Sequence, residues 1–233
     1  MAERRPTEAP LERSSALDEM SAEEMLRLIH SEDGCAHAAV GRVIPQMAEA
    51  VEVLACALMG GGRWFNVGSG TSGRLGVLDA SEIPPTFGLS ARRVQGLIAG
   101  GDRALRHAVE GAEDDASAGA FELEERGVTL GDAVIGISAS GSTPYVLGAI
   151  EAASKRGART LAITCDPDSP LAHAVEVVMA PEVGPEVVTG STRMKGGLAQ
   201  KMILTALSTA VMVRMGRVRG NHMTHVTPVS RKL

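Results

Sequence analysis

The chain has 233 residues, 44% of them hydrophobic and 22% charged, which excludes global disorder and favours one domain with extensions. Its 23 Lys and Arg against 28 Asp and Glu give a net charge of −5, which argues against a nucleic-acid partner. The three cysteines form no C-x-x-C pair, and the His, Cys, Asp and Glu residues lack metal-ligand spacing. We therefore predict no metal, no cofactor and no disulfide framework.

The first 62 residues are predicted to form an arm followed by helices. Residues 1–20 are polar, contain two prolines and lack an apolar signal-peptide region, so we expect a flexible arm on a soluble, cytoplasmic protein with no membrane span. Ser21 and Glu24 form a capping-box pattern that predicts a short helix. A second helix is predicted over 36–59, kinked or split by Pro45, so that 21–62 form an N-terminal helical extension.

Beyond the glycines at 60–62 the hydrophobic period changes. Apolar strands are predicted at 63–67, 94–99, 133–138, 160–164 and 175–179, and helices at about 74–80, 102–109, 115–125, 144–156 and 189–215. Uniformly apolar strands that alternate with helices predict a doubly wound five-stranded parallel sheet over 63–216, with helices on both faces and a tail at 217–233. Because the last helix is apolar almost all round, we also expect a homodimer.

Two similar loops follow the first and third predicted strands. Ser69–Ser72 and Ser140–Thr143 both read S-G-[ST]-[ST] before a helix. Such loops supply hydroxyls and backbone N–H groups for a phosphate, although a single one equally fits an ordinary turn. The first loop also matches G-x-G-x-x-G, a pattern of dinucleotide-binding loops. Dinucleotide binding requires an acidic residue near the end of the second strand, whereas the acidic residues here precede that strand. Dinucleotide binding therefore ranks below phosphosugar binding. The candidate binding residues are Ser69, Gly70, Thr71, Ser72, Ser138, Ser140, Ser142 and Thr143.

Two carboxylates are candidates for acid–base chemistry. Glu82 stands where the first helix is expected to stop before Pro84 and Pro85, and Glu113 lies in a predicted loop. By spacing alone, both are more typical of solvated charges at helix ends. Glu110 and Asp114 compete with Glu113 and remain open as alternatives.

Several segments together carry a family resemblance. The runs at 67–82, 84–88, 96–101, 108–114, 183–186 and 189–195 resemble the N-acetylmuramic acid 6-phosphate etherases, and the similarity extends from Leu17 to Met223. The resemblance implies a sugar isomerase (SIS) domain, a homodimer and a phosphorylated amino-sugar substrate. It also implies a lyase of peptidoglycan recycling and amino-sugar catabolism, which releases D-lactate and N-acetylglucosamine 6-phosphate by elimination and then hydration. By family position, Glu82 is the acid and Glu113 the base, and Glu82 should be desolvated to raise its pKa.

The chain departs from that family at two places. Family members usually carry Arg where Ser142 stands, and they continue with a further helical segment beyond the point where this sequence stops. These departures favour an alternative function, a non-catalytic phosphosugar-binding regulator similar to the glucokinase regulatory proteins. An aldose–ketose isomerase on the same fold is a third hypothesis, against which the motif around Glu82 argues.

Overall fold

The computed structural model describes residues 6–226. Within them the α-helices are α1 (Ala22–Arg42), α2 (Ile44–Met59), α3 (Gly70–Phe87), α4 (Gly101–Ala104), α5 (Ala116–Glu125), α6 (Pro144–Lys155), α7 (Pro170–His173) and α8 (Lys195–Arg214). The strands are β1 (Trp64–Gly68), β2 (Val94–Ile98), β3 (Ala133–Ile137), β4 (Arg159–Ile163), β5 (Val177–Met179), β6 (Val218–Arg219) and β7 (His222–Met223). Short 3-10 helices span Pro6–Glu8, Glu12–Ser14, Leu17–Glu19 and Ala112–Asp114.

The first five strands form one parallel sheet in the order β2-β1-β3-β4-β5. The chain leaves β1 to form β2 on one side and then returns to form β3 on the other, where Gly68 pairs with Ile137. In a doubly wound sheet, this change of direction opens a crevice at the carboxyl ends of the two diverging strands. The predicted fold class is confirmed, and its crevice lies between β1 and β3.

Helices cover both faces of the sheet, which explains why the central strands β1 and β3 are buried at every position. Successive side chains of a strand point to opposite faces, so Trp64 packs with the α1, α2, α3 and α8 layer, whereas Phe65 packs with α5 and α6. Both residues are fully buried, as are Leu54 in the first layer and Leu123 in the second. Each layer therefore has its own hydrophobic core.

The N-terminal helices follow the predicted signals, with one change of length. Ser21 accepts a hydrogen bond from the Glu24 N–H, and the Glu24 carboxylate accepts from the Ser21 N–H at 2.8 Å, which completes the capping box. The prediction of a short first helix is wrong, because α1 runs for 21 residues. Pro45 lies in the first turn of α2, where a missing N–H costs nothing, and the two helices are separated at Val43.

Helix α3 continues through two prolines, so the expected end near residue 80 is wrong. Pro84 and Pro85 lie inside the helix, which ends only at Phe87. Proline lacks an N–H, so the carbonyls four residues earlier lose their helical partners. Burial of Ile83 and Phe87 in the core offsets that loss, and Gly88, with φ of 62°, terminates the helix. Glu82 is thus a helical residue.

Two other helix predictions are also corrected. The helix expected over 102–109 ends at Ala104, and the last helix begins at Lys195 after turns at 189–194. One face of this helix is buried within the chain, since Ile203, Leu207 and Val211 are inaccessible to solvent, whereas Val213 is 48% exposed. The homodimer stays a prediction. Among the described helices, α8 alone is long and apolar enough to cross a membrane, and 56% of that stretch is buried in the protein.

Part of the predicted arm packs against the helices. Residues 6–20 contain three of the 3-10 helices, Thr7 is fully buried, and Arg13 forms an ion pair of 2.8 Å with Glu32 of α1. Positions 1–5 of the predicted arm and 227–233 of the predicted tail lie outside the described residues. The division of the chain after residues 20, 62 and 216 stays a prediction.

Candidate active site

Both hydroxyl loops open into one cavity at the β1–β3 crevice. Ser69 follows the end of β1 and Ser138 follows the end of β3, two strands that pair side by side. The cavity has a volume of about 260 Å³. Its lining residues are Thr7, Glu8, Ser69, Gly70, Thr71, Ser72, Glu113, Ser138, Ala139, Ser140, Thr143, Gly190 and Thr192. It therefore contains seven of the eight predicted binding residues and one predicted carboxylate.

The two loops lead into the N-termini of α3 and α6. Their N-cap residues, Ser69 and Thr143, do not cap these helices with their side chains. The Thr143 hydroxyl lies 2.9 Å from the Ser138 hydroxyl, and Ser69 donates to Glu113 at 3.3 Å. Because the first turn of a helix has N–H groups without helical partners, these two ends favour an anion such as a phosphate.

The second loop is held in shape by its own hydroxyls. The backbone N–H of Gly141 donates to the Ser138 hydroxyl at 3.1 Å, and the Ser140 and Ser142 hydroxyls lie 3.0 Å apart. Gly141 has a φ of 63°, and a Cβ atom there would lie 2.1 Å from the Ser169 hydroxyl. Only glycine fits this position. Ser142 therefore contacts Ser140 within the loop. It is not among the residues that line the cavity.

Glu113 lies at the edge of the cavity. It belongs to the 3-10 helix Ala112–Asp114, and its exposed carboxylate also lines a neighbouring cavity of about 260 Å³. Glu110 and Arg74 line that neighbouring cavity, and Arg74 donates to the Leu105 carbonyl at 3.2 Å. Asp114 lines neither cavity. Of the three carboxylates left open by the sequence, Glu113 alone contacts a hydroxyl loop among the described hydrogen bonds.

Glu82 lies far from Glu113 within the chain. Twelve residues separate it from Gly70, which corresponds to about 18 Å along the axis of α3. It lines a different cavity, of about 320 Å³, between α3 and α8. Its side chain is exposed, so the expected desolvation of Glu82 is not found in the single chain. One chain therefore does not bring the two predicted carboxylates to one ligand.

The buried carboxylate of the α3–α8 cavity is Asp79. Burial raises its pKa from an ordinary 3.8 to about 6, although a hydrogen bond of 2.9 Å from Ser208 acts in the opposite direction. Its second oxygen, Oδ2, has no hydrogen-bond partner among residues 6–226. No local pattern indicated this burial, which arises because α3 packs against α8.

A buried acidic residue and a buried ion pair lie beside the turns at 189–194, which line the cavity at the β1–β3 crevice. Glu186 accepts hydrogen bonds of 2.9 Å from the N–H groups of Lys195 and Gly196, and its burial raises its pKa. Lys195, with 2% of its side chain exposed, pairs with Glu32 at 2.7 Å. These contacts anchor the turns that supply Gly190 and Thr192.

Sequence reasoning missed five lining residues, one of which, Ala139, lies between the predicted residues Ser138 and Ser140. For Gly190 and Thr192 a signal was present, because T-G-S-T at 189–192 is a third hydroxyl-rich run before a helix. For Thr7 and Glu8 no local pattern existed, since their position depends on how the N-terminal segment packs. Within residues 6–226, no group of three or more His, Cys, Asp or Glu side chains is arranged to hold a metal ion.

The fold and two family models agree on the type of domain. The SIS domain model matches residues 119–210, and the glucokinase regulatory protein N-terminal SIS domain model matches residues 46–154. The structure is similar to that of a phosphoheptose isomerase from Neisseria gonorrhoeae. The TM-score is 0.62, the identity is 19%, and the match covers 82% of this chain and 98% of that one.

Curated relatives give a more specific match. The chain is 53% identical over 217 residues to an N-acetylmuramic acid 6-phosphate etherase of Serratia proteamaculans (strain 568), covering 93% of this chain and 73% of that protein. It is 51% identical over 227 residues to the etherase of Jannaschia sp. (strain CCS1), covering 97% and 72%. These matches confirm the resemblance and the prediction of a lyase. The chain belongs to the N-acetylmuramic acid 6-phosphate etherase family.

Proposed function

We propose that the β1–β3 cavity is where this chain cleaves the lactyl ether of N-acetylmuramic acid 6-phosphate to N-acetylglucosamine 6-phosphate and D-lactate. The observation that carries the proposal is that two hydroxyl loops, two helix N-termini and the Glu113 carboxylate meet at one cavity. The loops bind the phosphate through hydroxyl and N–H groups, which leaves the carboxylate for chemistry on the sugar. Family membership supports this substrate.

The reaction has two stages at C2 and C3 of the ring-opened sugar. The C1 aldehyde makes the C2 proton acidic, and the Glu113 carboxylate removes it. The bond between C3 and the lactyl oxygen breaks, and that oxygen takes a proton from an acid as D-lactate leaves. Water then adds to C3 of the unsaturated aldehyde, and C2 regains a proton. The hydrogen bond from Ser69 holds the base beside the loop that binds the substrate.

The acid role of Glu82 requires a second copy of the chain. Because about 18 Å of α3 separates Glu82 from the first loop, the two carboxylates meet one sugar only if a homodimer places this helix beside the other copy's cavity. Exposed apolar surface on the same helix supports such a contact, since Leu78 is 49% exposed beside the α3–α8 cavity. We therefore propose a cytoplasmic homodimer that acts in peptidoglycan recycling.

A regulator that binds phosphosugar without turnover is the second candidate. The match to the glucokinase regulatory protein N-terminal SIS domain over residues 46–154 favours it. Incubation with N-acetylmuramic acid 6-phosphate separates the two. Stoichiometric release of D-lactate supports the lyase. An enzymatic assay measures the lactate, and mass spectrometry identifies the sugar product. Saturable binding of the substrate without lactate release contradicts the lyase and supports the regulator.

A further inference from the structure

The N-terminal segment forms one side of the active-site cavity. Thr7 and Glu8, in the 3-10 helix Pro6–Glu8, line the same cavity as Ser69 and Ser138, although more than 60 residues separate them along the chain. Thr7 is fully buried. Its hydroxyl has no hydrogen-bond partner within the described part of the protein. A buried hydroxyl without a partner is unfavourable, so its place at a cavity points to a partner supplied by a ligand.

The segment is fixed to the rest of the site by charged contacts. Arg13 pairs with one oxygen of Glu32 at 2.8 Å, and Lys195 pairs with the other at 2.7 Å. Glu32 and Lys195 are both buried, with 5% and 2% of their side chains exposed. Lys195 also begins the helix that follows the turns bearing Gly190 and Thr192. One buried carboxylate thus joins the N-terminal segment to the opposite wall of the cavity.

The charged residues that line the cavity indicate which part of the ligand each side of the cavity binds. Its charged lining residues in the described chain are Glu8 and Glu113, both acidic. An ionised carboxylate accepts hydrogen bonds and repels a phosphate, so Glu8 is suited to the sugar end of the ligand. The phosphate remains with the hydroxyl loops and the N-termini of α3 and α6.

We propose that Thr7 and Glu8 are substrate-binding residues. The Thr7 hydroxyl forms a hydrogen bond with the bound phosphosugar, and the Glu8 carboxylate accepts one from a hydroxyl or amide N–H of its sugar part. This inference rests on the proposed function, because it takes the β1–β3 cavity as the phosphosugar site. It extends that site to a segment of the chain that lies outside the α/β sandwich.

The test compares substitutions of these two residues with matched controls. Thr7→Val removes the hydroxyl at nearly constant volume, and Thr7→Ser retains it. Glu8→Gln removes the charge, and Glu12→Gln is the control because Glu12 is an exposed carboxylate of the next 3-10 helix that does not line this cavity. Calorimetry measures binding of N-acetylglucosamine 6-phosphate, lactate release gives KM and kcat, and thermal unfolding monitors the fold.

We expect Thr7→Val and Glu8→Gln each to weaken binding and raise KM roughly tenfold, with kcat changed far less. Thr7→Ser and Glu12→Gln should bind as the wild type does. Wild-type affinity in both Thr7→Val and Glu8→Gln would overturn the proposal. So would a Thr7→Val protein with a lower Tm and unchanged affinity, since the hydroxyl would then be structural.

Failure of the proposed function gives a different result. A wild-type protein that binds N-acetylglucosamine 6-phosphate but releases no lactate from the substrate contradicts the lyase. The ratios of affinity between variant and wild type still decide the roles of Thr7 and Glu8 in that case. A wild-type protein that does not bind this sugar phosphate contradicts both proposals.

Discussion

The Ser69 hydroxyl donates a hydrogen bond of 3.3 Å to the Glu113 carboxylate, although 44 residues separate them. Ser69 is the N-cap residue of α3 and does not cap that helix with its side chain. The contact therefore joins a loop suited to phosphate with the carboxylate suited to proton abstraction. It places the Glu113 carboxylate beside the first hydroxyl loop.

Substitution of the two proposed carboxylates should separate the two stages of the reaction. Glu113→Gln should bind phosphosugar but lose exchange of the C2 hydrogen with deuterated water, because no proton acceptor remains. Glu82→Gln should retain some exchange while lactate release falls ~10²–10⁴-fold, since only protonation of the leaving group is impaired. NMR measures deuterium incorporation at C2, and lactate assays measure the second stage, for both variants. Exchange at the wild-type rate in Glu113→Gln would contradict the assignment and favour Glu110.

A mixing experiment tests whether the two carboxylates come from different chains. Suppose that each site of a homodimer takes Glu82 from one copy and Glu113 from the other. A heterodimer of one Glu82→Gln copy and one Glu113→Gln copy then has one intact site. An equimolar mixture after subunit exchange should then recover about a quarter of wild-type lactate release. Each variant alone, taken through the same exchange procedure, is the control. Recovery no greater than the two controls would contradict a site shared between copies.

The buried Asp79 should make stability depend on pH. Its pKa is raised from 3.8 to about 6 in the folded protein, so the folded state holds the proton more tightly than the unfolded state. The free energy of unfolding therefore falls as pH rises through this window, by roughly 2–3 kcal/mol, and stays lower above it. Asp79→Asn should be more stable than the wild type at pH 7 and lose that advantage by pH 4.

Denaturant unfolding at several pH values measures this difference. The control is Glu125→Gln, which neutralises an exposed carboxylate on α5 and should leave the pH dependence unchanged. A difference between Asp79→Asn and wild type that is the same at pH 4 and pH 7 would be inconsistent with a raised pKa.

The buried pair of Lys195 and Glu32 should show strong coupling. Lys195→Met leaves the Glu32 carboxylate, with 5% exposure, paired with Arg13 alone, and the loss of one charged hydrogen bond should cost about 1.5–3 kcal/mol of unfolding free energy. Lys195→Met/Glu32→Met removes both charges and should recover most of that loss. A double-mutant cycle by denaturant unfolding gives the coupling energy. Additive effects of the two substitutions would mean that the pair contributes no coupling to the fold.

The parts of the fold set by short-range patterns were predictable. The capping box of Ser21 and Glu24, the helix start at Pro144 and the apolar strands all depend on neighbouring residues. The path of α3 was not predictable in this way. The prolines near its end predict a stop, whereas burial of Ile83 and Phe87 against other helices extends it to Phe87.

The sequence by itself determined the fold class, the family and the two hydroxyl loops, because alternating periods and loop motifs are local properties of a chain. Only the tertiary structure decided which of these residues share a cavity. Glu82 is close to Ser69 in sequence, yet the rise of α3 carries it about 18 Å away. Thr7 and Thr192 are distant in sequence but line the same cavity, because Glu32 binds both the N-terminal segment and the start of α8. These are long-range contacts, which no local pattern encodes.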